Sequence, residues 1–283
     1  MPTLRLLVLT ALTMMAFAGN SLLCRVALRH TSIDAASFTA IRLISGALVL
    51  WVLVRLLRAS QVGKGNWLSG LSLFVYAACF SFAYLSLPAG TGALLLFGAV
   101  QATMIGHGIW AGERLRGLQI MGIVLALAGL VGLLLPGISA PPLAGATLML
   151  LAGIAWGIYS LRGRGAGDPT RVTAGNFLWS VPFAVGLSVV TFPASGQLDP
   201  LGVAYALVSG AVTSGIGYAI WYAVLPSLKA TSAATIQLSV PVIAAFGGII
   251  FLGESMSLRL VLAATAILGG IALVIIERQR RAS

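Results

Sequence analysis

The second half of the chain repeats the pattern of the first half, and each half carries an odd number of apolar segments. Gly112-Glu113 separates two apolar stretches, and Gly253-Glu254 does the same 141 positions later (254 − 113). Three further matches hold at an offset of 138 (157 − 19): Gly19 with Gly157, Tyr84 with Tyr222 and Pro88 with Pro226. Because each half has five segments, the second half must enter a bilayer from the opposite side. Inverted repeats of this kind are typical of alternating-access transporters, which hold substrate near the midplane where the halves meet.

Composition supports a membrane environment. Hydrophobic residues make up 59% of the chain and charged residues 8%, whereas soluble domains carry about 25% charged residues. The 283 residues accommodate ten spans, each of roughly 20 residues, the length that crosses the hydrocarbon core. We therefore expect an all-α integral membrane protein. Its ten transmembrane helices form two inverted five-helix repeats, residues 1–137 and 138–283.

Apolar runs between charged or turn-forming breaks predict the individual spans. Those of the first repeat are Leu4–Cys24, Ala35–Leu57, Trp67–Leu87, Ala89–Ala111 and Leu118–Leu135. Those of the second are Gly145–Leu161, Thr173–Phe192, Leu201–Leu225, Ala230–Leu252 and Leu258–Ile276.

The basic residues predict the orientation, because Lys and Arg near short loops favour the cytoplasmic side. With the N-terminus inside, the outer connections hold Arg29 and Arg259 as clear loop positions. The inner set is Arg5, Arg55, Arg58, Lys64, Arg114, Arg116, Arg162, Arg164, Arg171, Lys229, Arg278, Arg280 and Arg281. We expect both termini to be cytoplasmic in a bacterial inner membrane.

The first segment has an alternative interpretation. Met1–Ala18 has a basic residue, an apolar run and a small-residue motif, as in a cleavable signal peptide. However, the apolar run continues to Cys24, and the segment has a repeat partner at Gly145–Leu161. An uncleaved first span is therefore favoured.

Several function classes are disfavoured. The net charge of +11 is spread over the loops, so we expect no nucleic-acid partner. Cys24 and Cys79 lie within apolar segments without metal-ligand spacing, and we expect no metal or cofactor. An intramembrane enzyme needs a nucleophile, a base or a metal constellation, and the sequence contains no HExxH, phosphate-cradling loop or paired intramembrane acids. A channel is disfavoured because no filter-like polar run is visible.

Five stretches resemble one family. They are Ala155–Ser160 (AWGIYS), Gly217–Tyr222 (GYAIWY), Ala230–Ala234 (ATSAA), Pro241–Ala244 (PVIA) and Phe251–Glu254 (FLGE). Together they resemble the drug/metabolite transporter superfamily, specifically its EamA-type ten-span members, over essentially the whole chain. Within it the chain looks most like the YddG-type exporters of aromatic and other amino acids. The resemblance implies a basket of helices 1–4 and 6–9 around a central cavity, with helices 5 and 10 at the periphery.

Polar side chains in the spans are the first candidates for substrate binding, since such residues usually face a bundle interior or cavity. Asn20, Gln101 and Gln237 carry amides, which supply donors and acceptors for an amino acid without fixed charge. His107 is a further candidate. The alternative for the amides is hydrogen bonding between helices, and for His107 it is ordinary packing.

Aromatic side chains are the second set. Tyr76, Phe80 and Tyr84 are spaced by four and share one helical stripe. Tyr218 lies on the repeat-equivalent stripe, and Trp156 and Tyr159 share another face. These faces could hold an apolar or aromatic substrate side chain by offset stacking, worth about 0.5–1.5 kcal/mol per pair. The alternative is the interfacial aromatic belt, which is favoured for Trp221 and Tyr222.

Other residues suggest gates and hinges. Arg25 and Arg42 lie in the outer parts of their spans, where they either snorkel to the surface or attract a carboxylate at an outer gate. Pro182 and Pro241 fall mid-span and predict helix kinks that could act as hinges. Glu113 and Glu254 are expected to organise loops.

The predicted function is transport of small metabolites by alternating access, with amino acids as the expected substrates and export as the direction. Multidrug export and, less favoured, an intramembrane enzyme are the alternatives. All six acids lie in or beside predicted loops, namely Asp34, Glu113, Asp168, Asp199, Glu254 and Glu277. Since proton-driven transporters usually carry an intramembrane acid, movement down the substrate gradient is expected. Short loops suggest a monomer.

Overall fold

The fold is a bundle of long apolar helices. A computed structural model describes residues 3–56, 62–112, 114–137, 140–163, 166–195, 198–228, 233 and 236–282. The first five helices are α1 (Thr3–His30), α2 (Ala35–Leu56), α3 (Trp67–Tyr84), α4 (Ala89–Trp110) and α5 (Gly117–Leu134). The second five are α6 (Leu143–Arg162), α7 (Pro169–Ser195), α8 (Pro200–Ser227), α9 (Ser239–Leu252) and α10 (Leu258–Ala282). Within these ranges, nine helices are long and apolar enough to cross a membrane, and α9 is a shorter apolar helix.

The outer surface of the bundle is apolar. Trp110 is 86% exposed and Phe251 is 76% exposed, and many other large apolar side chains share this environment. Soluble monomers rarely expose contiguous apolar patches of this kind. The lipid bilayer is therefore the medium around the helices, as the composition predicts.

Eight helices form the central bundle and two lie at its side. α5 and α10 pack mainly against each other, and α10 also contacts α4. The α5–α10 crossing is close, since a Cβ at Gly122 would meet the carbonyl oxygen of Gly270, and the reverse also holds. Small residues permit such close approach of membrane helices. In the bundle, α2 packs on α7 and α8, α3 on α6 and α7, α4 on α6 and α9, and α1 on α8 and α9.

The loops pair in the same way at both ends of the bundle. At one end, which we call the Glu254 face, the α1–α2 and α7–α8 loops meet where Ser32 N–H donates to Asp199 Oδ2 (3.2 Å). At the other end, the Lys64 face, the α2–α3 and α6–α7 loops meet where Asp168 N–H donates to the carbonyl of Val62 (2.9 Å). Each pairing joins the first loop of one repeat to the second loop of the other. This reciprocal pairing of loops is what two inverted repeats predict.

Some helix ends differ from the predicted spans. α1 continues to His30, so Arg29 lies in its last turn rather than in a loop. Glu277 lies inside α10, where it is 7% exposed and accepts a hydrogen bond from Arg116. Hydropathy predicts where the apolar part of a segment ends. The helix continues past that point when its polar side chains form hydrogen bonds or ion pairs. The Nη1 of Arg29, for example, donates to the carbonyl of Leu252 (3.5 Å).

Candidate substrate site

Asn20 joins three helices through its side chain. It lies on α1 and is 5% exposed. Its Nδ2 donates to the hydroxyl of Tyr76 on α3 (3.3 Å), and its Oδ1 accepts from Ser209 Oγ (2.7 Å) and Thr213 Oγ1 (3.4 Å) on α8. Both ends of the amide are used, as expected for a buried polar group. Asn20 therefore links two helices of the first repeat to one helix of the second.

Arg42 lies on α2 and points into the bundle. It is 1% exposed, its Nε donates to Ser214 Oγ on α8 (3.2 Å), and its Nη2 donates to the Tyr76 hydroxyl (3.0 Å). Of the two alternatives that the sequence left open for Arg42, snorkelling to the membrane surface is wrong. Because two of its three nitrogens donate to partners inside the bundle, the guanidinium is held there rather than at the headgroups. We call Asn20, Arg42, Tyr76, Ser209, Thr213 and Ser214 the polar cluster.

Two aromatic rings cover the guanidinium of Arg42. Its Cζ lies 5.1 Å from the ring centroid of Tyr76 and 5.0 Å from that of Phe80. Aromatic faces attract a cation through the ring quadrupole, and the attraction is largest where water is excluded. These contacts hold the guanidinium in place without neutralising its charge.

The α8 side of the polar cluster is a π-helical segment. Residues Ser209–Ile216 are wound as a π-helix inside α8, and such segments are frequent at functional sites. A Cβ at Gly210 would collide with the carbonyl oxygen of Arg42 and the hydroxyl of Ser45, so a glycine is required for the close approach of α8 to α2. This segment was not predicted from the sequence. Its signal was the run of small and hydroxylated residues in an otherwise apolar span.

All six predicted aromatic residues lie in one connected set. Ring centroids of neighbours are 4.7 Å apart for Phe80–Tyr84, 5.5 Å for Tyr76–Phe80, 4.8 Å for Tyr76–Trp156, 5.2 Å for Trp156–Tyr159 and 5.2 Å for Trp156–Tyr218. We call these residues the aromatic chain. Because Trp156 contacts rings from both repeats, the aromatic chain crosses the boundary between the repeats, as the polar cluster does.

Exposure differs along the aromatic chain. Tyr84 and Phe80 are fully buried, whereas Trp156 is partly exposed. Phe17, whose ring contacts that of Tyr218 at 5.7 Å, is also partly exposed. Tyr159 and Tyr218 are also buried, at 3% and 4% exposure, so Trp156 is the most exposed member of the aromatic chain.

The remaining predicted site residues do not take part in the hydrogen bonds of the polar cluster. Gln101 is buried on α4 at 4% exposure, and His107 is exposed near the end of α4, where its ring lies 6.1 Å from that of Trp110. Gln237 is half-buried in a helical turn before α9. Pro182 lies inside α7 without interrupting it, and Pro241 lies in the first turn of α9, where a missing N–H breaks no intrahelical bond.

An ion pair joins the two repeats at the Glu254 face. Arg25 Nε lies 3.3 Å from Glu254 Oε1, and the two side chains are 12% and 8% exposed. Arg25 Nη1 also donates to the carbonyl of Tyr84 (2.8 Å), while Glu254 Oε2 accepts from the N–H of Ala89 (2.8 Å). The predicted role of Glu254 as a loop organiser agrees with these contacts. Its repeat partner Glu113 lies outside the described residues.

At the Lys64 face, hydrogen bonds join loops and helices of the two repeats, and the ion pair between Arg116 and Glu277 (3.3 Å) lies at the same end of the bundle. Arg162 donates to Ser69 Oγ (3.1 Å) and to Asn66 Oδ1 (3.1 Å), and Asn66 N–H donates to Asn176 Oδ1 (3.0 Å). A cavity of about 750 Å³ opens beside these loops, between α2 and α7. Its walls include the half-exposed Trp51 and Trp179, so it is a groove at the outer wall of the bundle, separate from the polar cluster.

The described carboxylates lie away from the polar cluster. Asp34, Asp168 and Asp199 accept N–H bonds at the starts of α2, α7 and α8. Outside the membrane span, the N–H of Ser32, followed by that of Gly202, holds the pKa of Asp199 below its ordinary value. Among the described residues, no group of three or more His, Cys, Asp or Glu is arranged to hold a metal ion.

The ten helices, the lipid-facing surface and a buried site shared by two repeats define a multi-pass membrane transporter. The model of the EamA-like transporter family matches residues 143–276. Threonine/homoserine exporter RhtA of Salmonella typhimurium is 30% identical over 246 residues, covering 83% of this chain and 80% of the relative. The chain belongs to the EamA-like family of the drug/metabolite transporter superfamily.

Other comparisons agree with this membership. A Pseudomonas aeruginosa protein described as uncharacterized is 57% identical over 284 residues, covering 100% of this chain and 99% of the relative. A solved crystal structure aligns with a TM-score of 0.67 at 18% identity, covering 99% of each chain. At that identity the likeness supports the fold alone.

Proposed function

We propose that this transporter carries amino acids across the bacterial inner membrane by alternating access and acts as an exporter. The observation that carries the proposal is the polar cluster, in which Asn20, Arg42 and Tyr76 of the first repeat contact Ser209 and Ser214 of the second. A site shared by two repeats changes shape when the repeats move relative to each other, which is the requirement of alternating access.

The chemistry of the site suits an amino acid. The polar cluster offers charged and neutral hydrogen-bonding groups for the polar end, and the adjoining aromatic chain offers apolar ring faces for the side chain. The name of the Salmonella relative, threonine/homoserine exporter, supports both the substrate class and the direction.

Transport follows the gradient of the substrate in this proposal. The described acids cap helices or form ion pairs near the bundle ends, and none of them contacts the polar cluster. A proton-coupled carrier needs a group near the site that loads and releases a proton. Facilitated exchange therefore fits the described residues better than proton coupling.

The charge distribution supports an orientation with the Lys64 face in the cytoplasm. The described basic residues at that face include Arg5, Arg55, Lys64, Arg114, Arg116, Arg162 and Arg171, and cytoplasmic loops carry an excess of Lys and Arg. We propose that both termini are cytoplasmic and that a single chain suffices. A C-terminal reporter that is active only in the cytoplasm tests the orientation, and activity outside would contradict it.

Counterflow in proteoliposomes tests the function. Purified protein is reconstituted into vesicles loaded with unlabelled threonine, homoserine, phenylalanine or leucine, and uptake of the labelled compound is followed without an ion gradient. We expect saturable exchange of at least one amino acid. The control is Ser72→Ala, since Ser72 is a half-buried residue whose hydroxyl donates only to its own helix. If folded protein exchanges none of these compounds, the amino-acid proposal is wrong.

A further inference from the structure

The guanidinium of Arg42 carries an unbalanced charge inside the bundle. It is 1% exposed, and the groups it contacts are a serine hydroxyl, a phenol and two aromatic rings, all of them neutral. The ion pairs of the described residues, Arg25–Glu254 and Arg116–Glu277, do not include it. A buried charge without a counter-ion is costly, and in a membrane protein it marks a functional position.

The hydrogen bonds of Arg42 are also incomplete. A guanidinium has five N–H groups and no acceptor. Nε and Nη2 donate to Ser214 and Tyr76, while the buried Nη1 has no hydrogen-bond partner among the described residues. A buried donor without an acceptor destabilises the protein, so an arginine held in this way gains from any acceptor that reaches Nη1.

The hydroxyl of Tyr76 also has a hydrogen that no described residue accepts. Its hydroxyl oxygen accepts from Arg42 Nη2 (3.0 Å) and from Asn20 Nδ2 (3.3 Å). These two bonds use the acceptor capacity of the phenol and leave its own hydrogen to donate, and no described residue accepts it. Arg42 and Tyr76 therefore present donors side by side, and both donors favour an anionic oxygen.

We propose that Arg42 receives the carboxylate of the substrate and that a carboxylate is required for recognition at this site. A carboxylate matches the planar fork of a guanidinium, because its two oxygens accept parallel N–H bonds. It also supplies the missing negative charge. This inference rests on the proposed function and narrows it, since a cationic drug without a carboxylate meets a buried positive charge of the same sign.

The specificity of the unmodified protein tests the proposal without any mutation. Competition for labelled phenylalanine counterflow is measured with phenylalanine, phenylalaninamide, 2-phenylethylamine and 3-phenylpropionate. A charged hydrogen bond contributes about 1.5–3 kcal/mol, so the amide and the amine should compete at least about tenfold more weakly than phenylalanine. The carboxylate without an amine, 3-phenylpropionate, should still compete. If the amide competes as well as the acid, the carboxylate requirement is overturned while amino-acid transport stands.

Variants connect the specificity to Arg42. Arg42→Gln should weaken competition by the acid at least about tenfold and remove the preference for acid over amide, since a charged hydrogen bond is lost. Arg42→Lys should keep the preference in part, because it keeps the charge but not the fork. Arg55→Gln is the matched control, since Arg55 is an exposed arginine on the same helix that stacks on Trp51 at 5.3 Å. If folded Arg42→Gln protein still prefers phenylalanine over phenylalaninamide, Arg42 does not bind the carboxylate and the proposal is overturned.

A binding measurement separates this inference from the proposed function. The quenching of tryptophan fluorescence by 3-phenylpropionate is recorded for the unmodified protein and for Arg42→Gln. Arg42-dependent binding without exchange of any amino acid would support the carboxylate site and contradict amino-acid transport. If neither the amino acids nor 3-phenylpropionate binds, both proposals are overturned.

Discussion

Arg25 Nε lies 3.3 Å from Glu254 Oε1, although the two residues are 229 positions apart in the chain. The pair joins α1 of the first repeat to the α9–α10 connection of the second. The same carboxylate accepts the N–H of Ala89 at the start of α4. These contacts cross the repeat boundary and tie the two repeats together at the Glu254 face.

Breaking this ion pair should open the Glu254 face. Glu254→Gln removes a charged hydrogen bond worth about 1.5–3 kcal/mol. The fraction of protein molecules that are open at the Glu254 face should therefore rise about tenfold or more. Cys24 precedes Arg25 and is fully buried. In a Cys79→Ala background, labelling of Cys24 by a membrane-impermeant maleimide should increase. Glu277→Gln, which breaks the Arg116 pair at the other face, is the control, and equal labelling in both variants would argue against a gate.

Removing the amide of Asn20 should reduce both stability and transport. Asn20→Ala leaves the hydroxyls of Tyr76 and Ser209 without their shared partner, at a cost of about 1–3 kcal/mol. We expect a lower midpoint of thermal unfolding and about tenfold slower counterflow, since the link between the repeats is lost. Ser72→Ala should change neither quantity. Unchanged counterflow in Asn20→Ala would mean that Asn20 serves packing alone.

A methyl group at Gly210 should force α8 away from α2. The added Cβ would collide with the carbonyl oxygen of Arg42 and the hydroxyl of Ser45, and overpacking of this kind costs about 1–3 kcal/mol. Thermal unfolding in detergent should show Gly210→Ala to be destabilised. Gly186→Ala is the matched control, because a Cβ there meets no atom within 4 Å. Equal stability of the two variants would contradict the close contact.

Truncating Trp156 should affect aromatic substrates more than polar ones. Trp156 contacts the rings of Tyr76, Tyr159 and Tyr218, and a ring pair contributes about 0.5–1.5 kcal/mol beyond area burial. In Trp156→Ala the KM for phenylalanine counterflow should rise about three- to tenfold relative to that for threonine. The half-exposed Trp179 offers the control Trp179→Ala. An equal effect on both substrates would assign Trp156 to packing.

The docking of two loops should depend on pH through Asp199. The N–H of Ser32, followed by that of Gly202, holds the pKa of this exposed carboxyl below its ordinary value of 3.8. A lowered pKa in the folded state means that the stabilisation is present above about pH 3.8 and is lost as the pH falls through the lower folded value. The thermal midpoint of the unmodified protein should therefore approach that of Asp199→Asn on acidification. A constant difference between the two from pH 6 to pH 3 would contradict this role.

Much of the site could be predicted because helical periodicity fixes which residues share a face. Tyr76, Phe80 and Tyr84 are spaced by four, so any helix places them on one stripe, and their rings do form a continuous chain. Tyr218 was predicted from the repeat, and Trp156 was predicted because it shares a helical face with Tyr159. Asn20 was found because an amide in an apolar span requires partners.

The sequence placed Arg42 in the outer part of its span, where it either snorkels to the surface or attracts a carboxylate at an outer gate, and it could not decide between these alternatives. Hydropathy reports the depth of a residue along its span but not the direction in which the side chain points. The rotation of α2 is set by its packing on α8, which requires Gly210 and the π-helical turn. The run of small and hydroxylated residues in α8 is an unusual feature of an apolar span, but it does not specify the π-helical turn that brings Ser214 to Arg42.

The sequence by itself determined that this is a membrane protein built from two inverted halves. It also determined that amides and aromatic residues lie within the spans. These properties follow from composition and from one-dimensional periodicity. Only the tertiary structure decided that Arg42 is buried among neutral groups and that Arg25 pairs with Glu254. Both depend on contacts between helices far apart in the chain, where small residues allow close packing and each polar group takes the partner that the packing brings within reach.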